Sequence, residues 1–277
     1  MADKGVEAAT FVVVGGGASG MLIAAQLLRR RGTKRVILCE RYGTVAAGIA
    51  YGTEHFGHLL NVPAGRMSAL PDDPGHFYRW LSQRPSQPFG HGWSTASFAP
   101  RRTYRDYLSG LLKPHLAVDT TPGRLIVWQS EIIDLCETAE GVEVIGADGS
   151  RHYADAAILA LGNEEPPQRQ MSWLRHGWTR DTTIGLPKEA TVAIIGTGLS
   201  MIDNLVSLLD AGHTGRILAV SRRGLLPRSH GACCHAHMAM VTFRTSWRLS
   251  FLMGARQRAL CAGFADASLR SQAIGGA

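Results

Sequence analysis

Six consecutive residues near the start of the chain, Gly15-Gly16-Gly17-Ala18-Ser19-Gly20, follow the pattern G-x-G-x-x-G. Glycines at these intervals suit a backbone that must approach an anion. Gly15 permits a tight turn, Gly17 leaves room for a pyrophosphate, and Gly20 lets a helix pack close to a strand. Ser19 belongs to the same turn, where the free N–H groups and positive dipole end of a helix favour phosphate. Glu40 follows Gly20 by twenty residues, the distance at which a strand-end carboxylate accepts hydrogen bonds from ribose hydroxyls. A lone glycine pattern is a weak signal, but this one follows the β-branched run Phe11–Val14 and opens a helical segment. It reads as a cradle for the ADP half of a dinucleotide and does not by itself separate FAD from NAD.

A second copy lies far downstream, at Gly196-Thr197-Gly198-Leu199-Ser200-Met201. Gly196, Gly198 and Ser200 take the cradle positions. Met201 stands where the third glycine belongs, so this helix should sit farther from its strand. The next strand ends in Ser221-Arg222-Arg223-Gly224. An acid there would select NAD, whereas the Arg222 guanidinium would pair with the 2′-phosphate of NADP. The competing reading is two surface arginines at a strand end; the motif favours NADPH over NADH.

Both motifs sit in strand–helix–strand patterns. Phe11–Val14, helix Ala18–Arg31 and strand Arg35–Cys39 form the first, with Arg29, Arg30 and Arg31 suited to a helix C-terminus. Thr191–Ile195, helix Leu199–Ala211 and strand Arg216–Val220 form the second. Between them, residues 43–101 read as loops with short helices such as His76–Leu81, and Thr103–Leu112 reads as a helix. Arg124–Trp128, Glu131–Glu137, Gly141–Ile145 and Arg151–Tyr153 read as a strand meander, with Asp148-Gly149 as a turn signal. Ala156–Leu161 is a buried strand ended by Gly162. The expected organisation is an FAD-type domain with the meander over 1–168, a linker over 169–188, a βαβ unit over 189–230 and an atypical, poorly packed tail over 231–277.

Composition narrows the class. The 277 residues are 45% hydrophobic and 18% charged, as in soluble globular proteins, and no apolar run approaches a membrane span of ~20 residues. The five cysteines are odd in number and scattered, so the expected setting is a reducing cytoplasm. Although the net charge is +7, the last 47 residues concentrate five arginines against the single acid Asp266. No aromatic–basic interleaving accompanies them, so nucleic acid is not an expected partner. His230, Cys233, Cys234, His235 and His237 match no zinc spacing, and no metal site is expected. No C-x-x-C lies near the first motif, which argues against dithiol–disulfide chemistry. The sequence carries no signal for an oligomeric state.

Several further runs resemble a bacterial FAD/NAD(P)-binding protein family that includes FAD-dependent urate hydroxylase and the nitrosuccinate-forming L-aspartate N-monooxygenase. They are Gly48-Ile49-Ala50-Tyr51, the stretch from His58 through Leu60-Asn61-Val62-Pro63-Ala64-Gly65-Arg66-Met67-Ser68, and the helix entry Pro100-Arg101-Arg102-Thr103-Tyr104. The resemblance spans roughly residues 10–230. It implies an α/β fold of glutathione-reductase type, with two Rossmann-like dinucleotide-binding units, FAD then NADP, and a meander. It implies that Gly15, Gly17, Gly20 and Glu40 hold the ADP half of FAD. Asn61, Val62 and Met67 would lie near the isoalloxazine ring or ribityl chain, and Gly162 would approach FAD. Gly196, Gly198, Ser200 and Arg222 would hold NADPH. The implied activity is hydride transfer from NADPH to FAD followed by oxygen activation on a small substrate, an amine or a purine. No catalytic side chain is assigned; His58 is a candidate proton donor. The C-terminal segment that returns to the FAD domain in such folds is not recognisable after His230. A dinucleotide-binding remnant without turnover and an NADPH:acceptor flavin reductase are therefore the competing functions.

Overall fold

The computed structural model describes residues 8–85, 92–116, 123–163, 173–177 and 182–227, together with the backbone of Leu249–Leu252. The chain divides into two compact units, Met1–Leu174 and Arg175–Ala277.

The first unit opens with strand β1 (Ala9–Val14), helix α1 (Ala18–Leu28) and strand β2 (Thr33–Cys39). A long crossover follows, carrying α2 (Gly48–Tyr51), a 3-10 turn at Ala64–Arg66, α3 (His76–Ser82) and α4 (Arg101–Leu112). Then come β3 (Leu125–Trp128), β4 (Ile132–Thr138), β5 (Gly141–Gly146), β6 (Arg151–Ala154) and β7 (Ala156–Leu159). The parallel sheet runs β3-β2-β1-β7, and β4-β5-β6 form a separate antiparallel sheet. The expected meander therefore loses its first member. Arg124–Trp128 pairs in parallel with β2, with Leu125 buried in the core on one face of the sheet and Trp128 in the core on the other.

Strand β1 is a continuous apolar run because both of its faces are covered. Val13 joins Met21, Ala24 and Leu28 of α1, Val36 and Leu38 of β2, and Tyr104, Tyr107 and Leu108 of α4 in one core. Val12 and Val14 face the other way, with Ile37, Cys39, Trp128, Val144 and Ala154. The result is three layers: helices, parallel sheet and meander. Cys39 is sealed in the second core, where burial pushes its thiol up to about 12, so the sulfur stays protonated and unreactive.

Helix α1 ends at Leu28, one residue before the three arginines expected in its last turn. Its terminal carbonyls are held by Arg124 instead, which donates to Leu28 O at 3.0 Å, Arg30 O at 3.3 Å and Thr33 O at 2.7 Å. One guanidinium thus fixes the helix end to the turn that starts β2.

The second unit contains β8 (Val192–Ile195), α5 (Leu199–Asp210), β9 (Ile217–Val220) and β10 (Leu249–Leu252). The sheet order is β10-β9-β8, all parallel. One sheet face packs on α5 through Met201, Leu205, Leu208, Ile217 and Ala219. Strand β10 corrects one expectation: the tail, expected to be poorly packed, continues the sheet through Leu249–Leu252. The remainder of the 231–277 stretch, including the histidine–cysteine cluster, lies outside the described residues, as do residues 169–172 and 178–181 of the expected linker.

Candidate functional site

The first glycine turn is built where β1 stops. Gly15 takes φ +109 and donates its N–H to Cys39 O at 3.0 Å. A Cβ on Gly15 would lie 2.3 Å from Ala160 O, so the turn is pressed against the chain leaving β7. That contact brings the segment ending in Gly162 beside the turn, and Gly162 itself has φ +73. A Cβ on Gly20 would stand 1.8 Å from Gly15 O. Helix α1 can start this close to β1 only because Gly20 has no side chain.

Gly17 behaves differently. It is the N-cap of α1, with φ −68 and ψ −174, and no side chain caps the helix. The N–H groups of Ala18, Ser19 and Gly20 are the ones a helix leaves without an intrahelical partner at its start. A Cβ on Gly17 would meet its nearest neighbour, Gly48 Cα, at an ordinary 3.7 Å. The turn therefore offers bare backbone and a positive dipole end. This is the geometry of an anion cradle.

Glu40 follows β2 and is buried. One carboxylate oxygen accepts the Gly16 N–H at 3.1 Å and the other accepts the Tyr42 N–H at 2.9 Å. Each oxygen keeps a further lone pair for a ribose hydroxyl. Glu40 thus also ties the glycine turn to the loop after β2. That loop crosses back over the turn: Ala46, fully buried at φ +64, donates its N–H to Gly16 O at 2.7 Å. A non-glycine residue with positive φ is a strained conformation held by its surroundings, a feature that clusters at ligand sites. Gly16, Ala46 and Gly48 were not among the residues expected from sequence. Gly48, at φ +50, carried the one available signal, as a glycine opening a helix.

The Asn61–Met67 segment is placed by other contacts. Leu60 N donates to Ala99 O at 2.9 Å, Ala64 N to Ser97 O at 2.8 Å and Arg101 N to His58 O at 2.8 Å. The Arg101 side chain adds a bond from Nε to Leu59 O at 3.0 Å. The segment is laced to the approach to α4, which leaves Asn61 exposed and Val62 and Met67 half-buried. Gln26 on α1 donates to Ala69 O at 3.1 Å just beyond it, so the segment lies on the helix side of the sheet. The His58 ring stacks on His55 with centroids 4.7 Å apart, and its Nδ1 is 2.7 Å from Thr53 Oγ1.

The second unit repeats the frame. Gly196 takes φ +113 and donates to Val220 O at 2.7 Å, as Gly15 does to Cys39. Gly198 caps α5 with φ −84 and ψ −168, again with no capping side chain. Leu199 and Ser200 open the helix and are exposed, as are Arg222 and Arg223 beyond β9. Met201, in place of a third glycine, is buried against α5's own core. Where Gly16 meets Glu40 in the first unit, Thr197 meets Ser221 here, with their hydroxyl oxygens 2.8 Å apart.

Among the described residues no group of three histidine, cysteine or acidic side chains could hold a metal ion, and no helix is long and apolar enough to cross a membrane.

No curated protein matches the sequence. Among solved structures, the chain is similar to bacillithiol disulfide reductase from Bacillus cereus, at 16% identity and TM-score 0.54, over 88% of this chain and 68% of that one. It is similar to the reduced form of ornithine hydroxylase from Pseudomonas aeruginosa, at 17% identity and TM-score 0.56, over 80% and 56%. It is also similar to S-allyl-L-cysteine S-oxygenase from Allium sativum, at 16% identity and TM-score 0.53, over 81% and 53%. At such identities the likeness is one of fold. The sequence signature of one family, described as FAD-NAD(P)-binding, matches residues 12–164, from the middle of β1 through the glycine cradle, Glu40 and the meander to the turn after Gly162. The chain belongs to that FAD-NAD(P)-binding family.

Proposed function

We propose that this chain is an FAD-dependent, NADPH-using oxidoreductase and, within that class, a flavin monooxygenase. The observation that carries the reading is one frame used twice with different chemistry. Each unit ends a parallel strand in a positive-φ glycine, bonds that glycine to the end of the next strand and opens an uncapped helix. The first ends in a buried carboxylate, the second in a hydroxyl and two exposed arginines.

In this reading the α1 N-terminus, with Gly15, Gly17, Ser19 and Gly20, holds the FAD pyrophosphate, and Glu40 holds the adenosine ribose. The absence of any Cβ along that turn is the feature that fits the group. Asn61, Val62 and Met67 line the flavin end, and Gly162 gives it close approach. Gly196, Gly198 and Ser200 cradle NADPH, and Arg222 reads its 2′-phosphate. Bound FAD supplies the chemistry itself, accepting hydride from the nicotinamide and passing electrons to dioxygen, while the protein orients it and excludes water. The substrate is a small polar molecule, an amine or a purine, by the family resemblance. Ornithine hydroxylase and the S-oxygenase among the similar folds support oxygen insertion. The disulfide reductase supports the second reading, an NADPH:acceptor reductase. Among the described residues, Cys39, sealed in the core, and Cys136, on the meander, form no pair of thiols for disulfide chemistry.

The test is flavin loading followed by reduction with NADPH under anaerobic conditions and re-oxidation in air. Stoichiometric FAD, faster reduction by NADPH than by NADH, and oxygenated product in proportion to NADPH consumed would establish the monooxygenase. NADPH oxidation matched by hydrogen peroxide across candidate amines and purines would favour the reductase. Failure to bind FAD would overturn both.

A further inference from the structure

We propose that Thr197 is a positioning residue for coenzyme selection: its hydroxyl, bonded to Ser221 and Leu225, pins the arginine turn that reads the 2′-phosphate. This deepens the NADPH assignment above and rests on it.

Thr197 is buried, at 8% exposure. Its Oγ1 lies 2.5 Å from Leu225 O and 2.8 Å from Ser221 Oγ. Both accept from the Thr197 hydroxyl, which shares its single proton between them. Ser221 Oγ also accepts the Gly224 N–H at 3.0 Å. Thr197 is the donor that holds this turn, and Ser221 is one of the two groups it holds.

What the pair does is close a loop. Ser221, Gly224 and Leu225 are all tied to the Thr197–Ser221 pair, and Gly224 takes φ +61. The two residues strung between the ties, Arg222 and Arg223, are exposed. Thr197 is also the middle residue of the Gly196–Gly198 turn. One buried hydroxyl therefore sets the spacing between the pyrophosphate cradle and the arginines. The first unit shows the counterpart of this link. Gly16 and Glu40 are 24 residues apart and joined by a hydrogen bond, and so are Thr197 and Ser221. In the first unit the link leaves a carboxylate facing the ribose. In the second it is neutral, and no carboxylate stands at position 221 to repel a 2′-phosphate.

The experiment measures binding of adenosine 2′,5′-bisphosphate and adenosine 5′-monophosphate to the full chain by calorimetry, with excess FAD present to fill the first cradle. The wild type should prefer the bisphosphate by about tenfold or more, the worth of a charge-assisted contact. Thr197→Val keeps the side-chain shape and removes the hydroxyl. It should lower that preference by roughly fivefold or more, with monophosphate affinity within about twofold of wild type. Thr197→Ser should restore the preference. If Thr197→Val fails to fold, as judged by thermal unfolding, Thr197→Ala carries the same comparison. A wild type that does not prefer the bisphosphate overturns the NADPH assignment and the proposal together. A preferring wild type whose Thr197 variants keep the full preference overturns the positioning role alone. A preference lost in Ser221→Ala but kept in Thr197→Val would show that Ser221 is a direct ligand.

Discussion

Replacing Gly17 by alanine separates ligand binding from folding at the first cradle. At Gly20 the two cannot be separated, because a Cβ there would stand 1.8 Å from Gly15 O and the helix must shift. Gly15 is as bad, with φ +109 and a clash at 2.3 Å. Gly17 has room: φ is −68 and the nearest atom to a new Cβ is Gly48 Cα at 3.7 Å. Two small effects on the unliganded protein oppose each other. Alanine restricts the unfolded chain, which stabilises by about 0.4–1 kcal/mol, and it is a poorer N-cap than glycine by roughly the same amount. The unliganded fold should therefore hold within about 1 kcal/mol. The pyrophosphate cannot keep its place, because the methyl group stands over the backbone it must approach. Losing one hydrogen bond to a charged group costs about 1.5–3 kcal/mol, or roughly ten- to a hundredfold in FAD affinity. Thermal unfolding of flavin-free protein and FAD titration, run on Gly17→Ala and Gly20→Ala side by side, check this. Gly17→Ala should lose FAD and keep its melting temperature; Gly20→Ala should lose both. If Gly17→Ala binds FAD like the wild type, the pyrophosphate does not lie on this turn. Equal destabilisation of both variants would mean that Gly17 is a packing glycine.

Arg222→Ala should weaken NADPH by about tenfold and leave NADH nearly unchanged, since only NADPH carries the phosphate a guanidinium would pair; steady-state KM values for the two coenzymes check this. Tyr107→Phe should destabilise the first unit by about 1–3 kcal/mol, measured by denaturant unfolding. Tyr107 is fully buried and its hydroxyl lies 3.2 Å from the Ala69 N–H it accepts and 2.8 Å from His76 Nδ1, so both lose a partner. His213, 2% exposed, should make the second unit acid-sensitive. Burial lowers its folded-state pKa below the ordinary 6.5, so the unfolded chain takes up the proton first. Stability is then full above pH 6.5 and is lost as pH falls below it. Melting temperature should drop over that range in wild type and less steeply in His213→Gln.

The βαβ frames were legible because their signals are local. Val12, Val13 and Val14 form an unbroken apolar run since helices cover one face of β1 and the meander the other. Helices α4 and α5 follow an apolar stripe that needs no knowledge of partners. What stayed hidden depends on pairing at a distance. Nothing in Leu125-Ile126-Val127-Trp128 says whether it joins the meander that follows or β2 nearly ninety residues back; four apolar residues suit either. Leu249–Leu252 is as short and as ambiguous. Ala46 carries no sign of its positive φ because alanine is not a residue type that marks one. It adopts that conformation because Gly16 O and a closed core hold it there.

One hidden feature had a legible trace. When the two glycine turns are laid over each other, Thr197 falls on Gly16 and Ser221 on Glu40, each pair 24 residues apart. Gly16 must be small: a Cβ there would lie 2.7 Å from the Glu40 side chain. Thr197 fits the equivalent place because serine is shorter than glutamate, so the middle residue of each turn and the residue after each second strand have to be chosen together. A small middle residue leaves space for a long acid that can turn toward a ribose. A larger hydroxyl residue in the middle requires a short partner, as Ser221 is for Thr197; in the proposed reading the neighbouring arginines then meet the 2′-phosphate. The central position of a G-x-G turn, ordinarily treated as free, thus carries information about which dinucleotide its unit accepts.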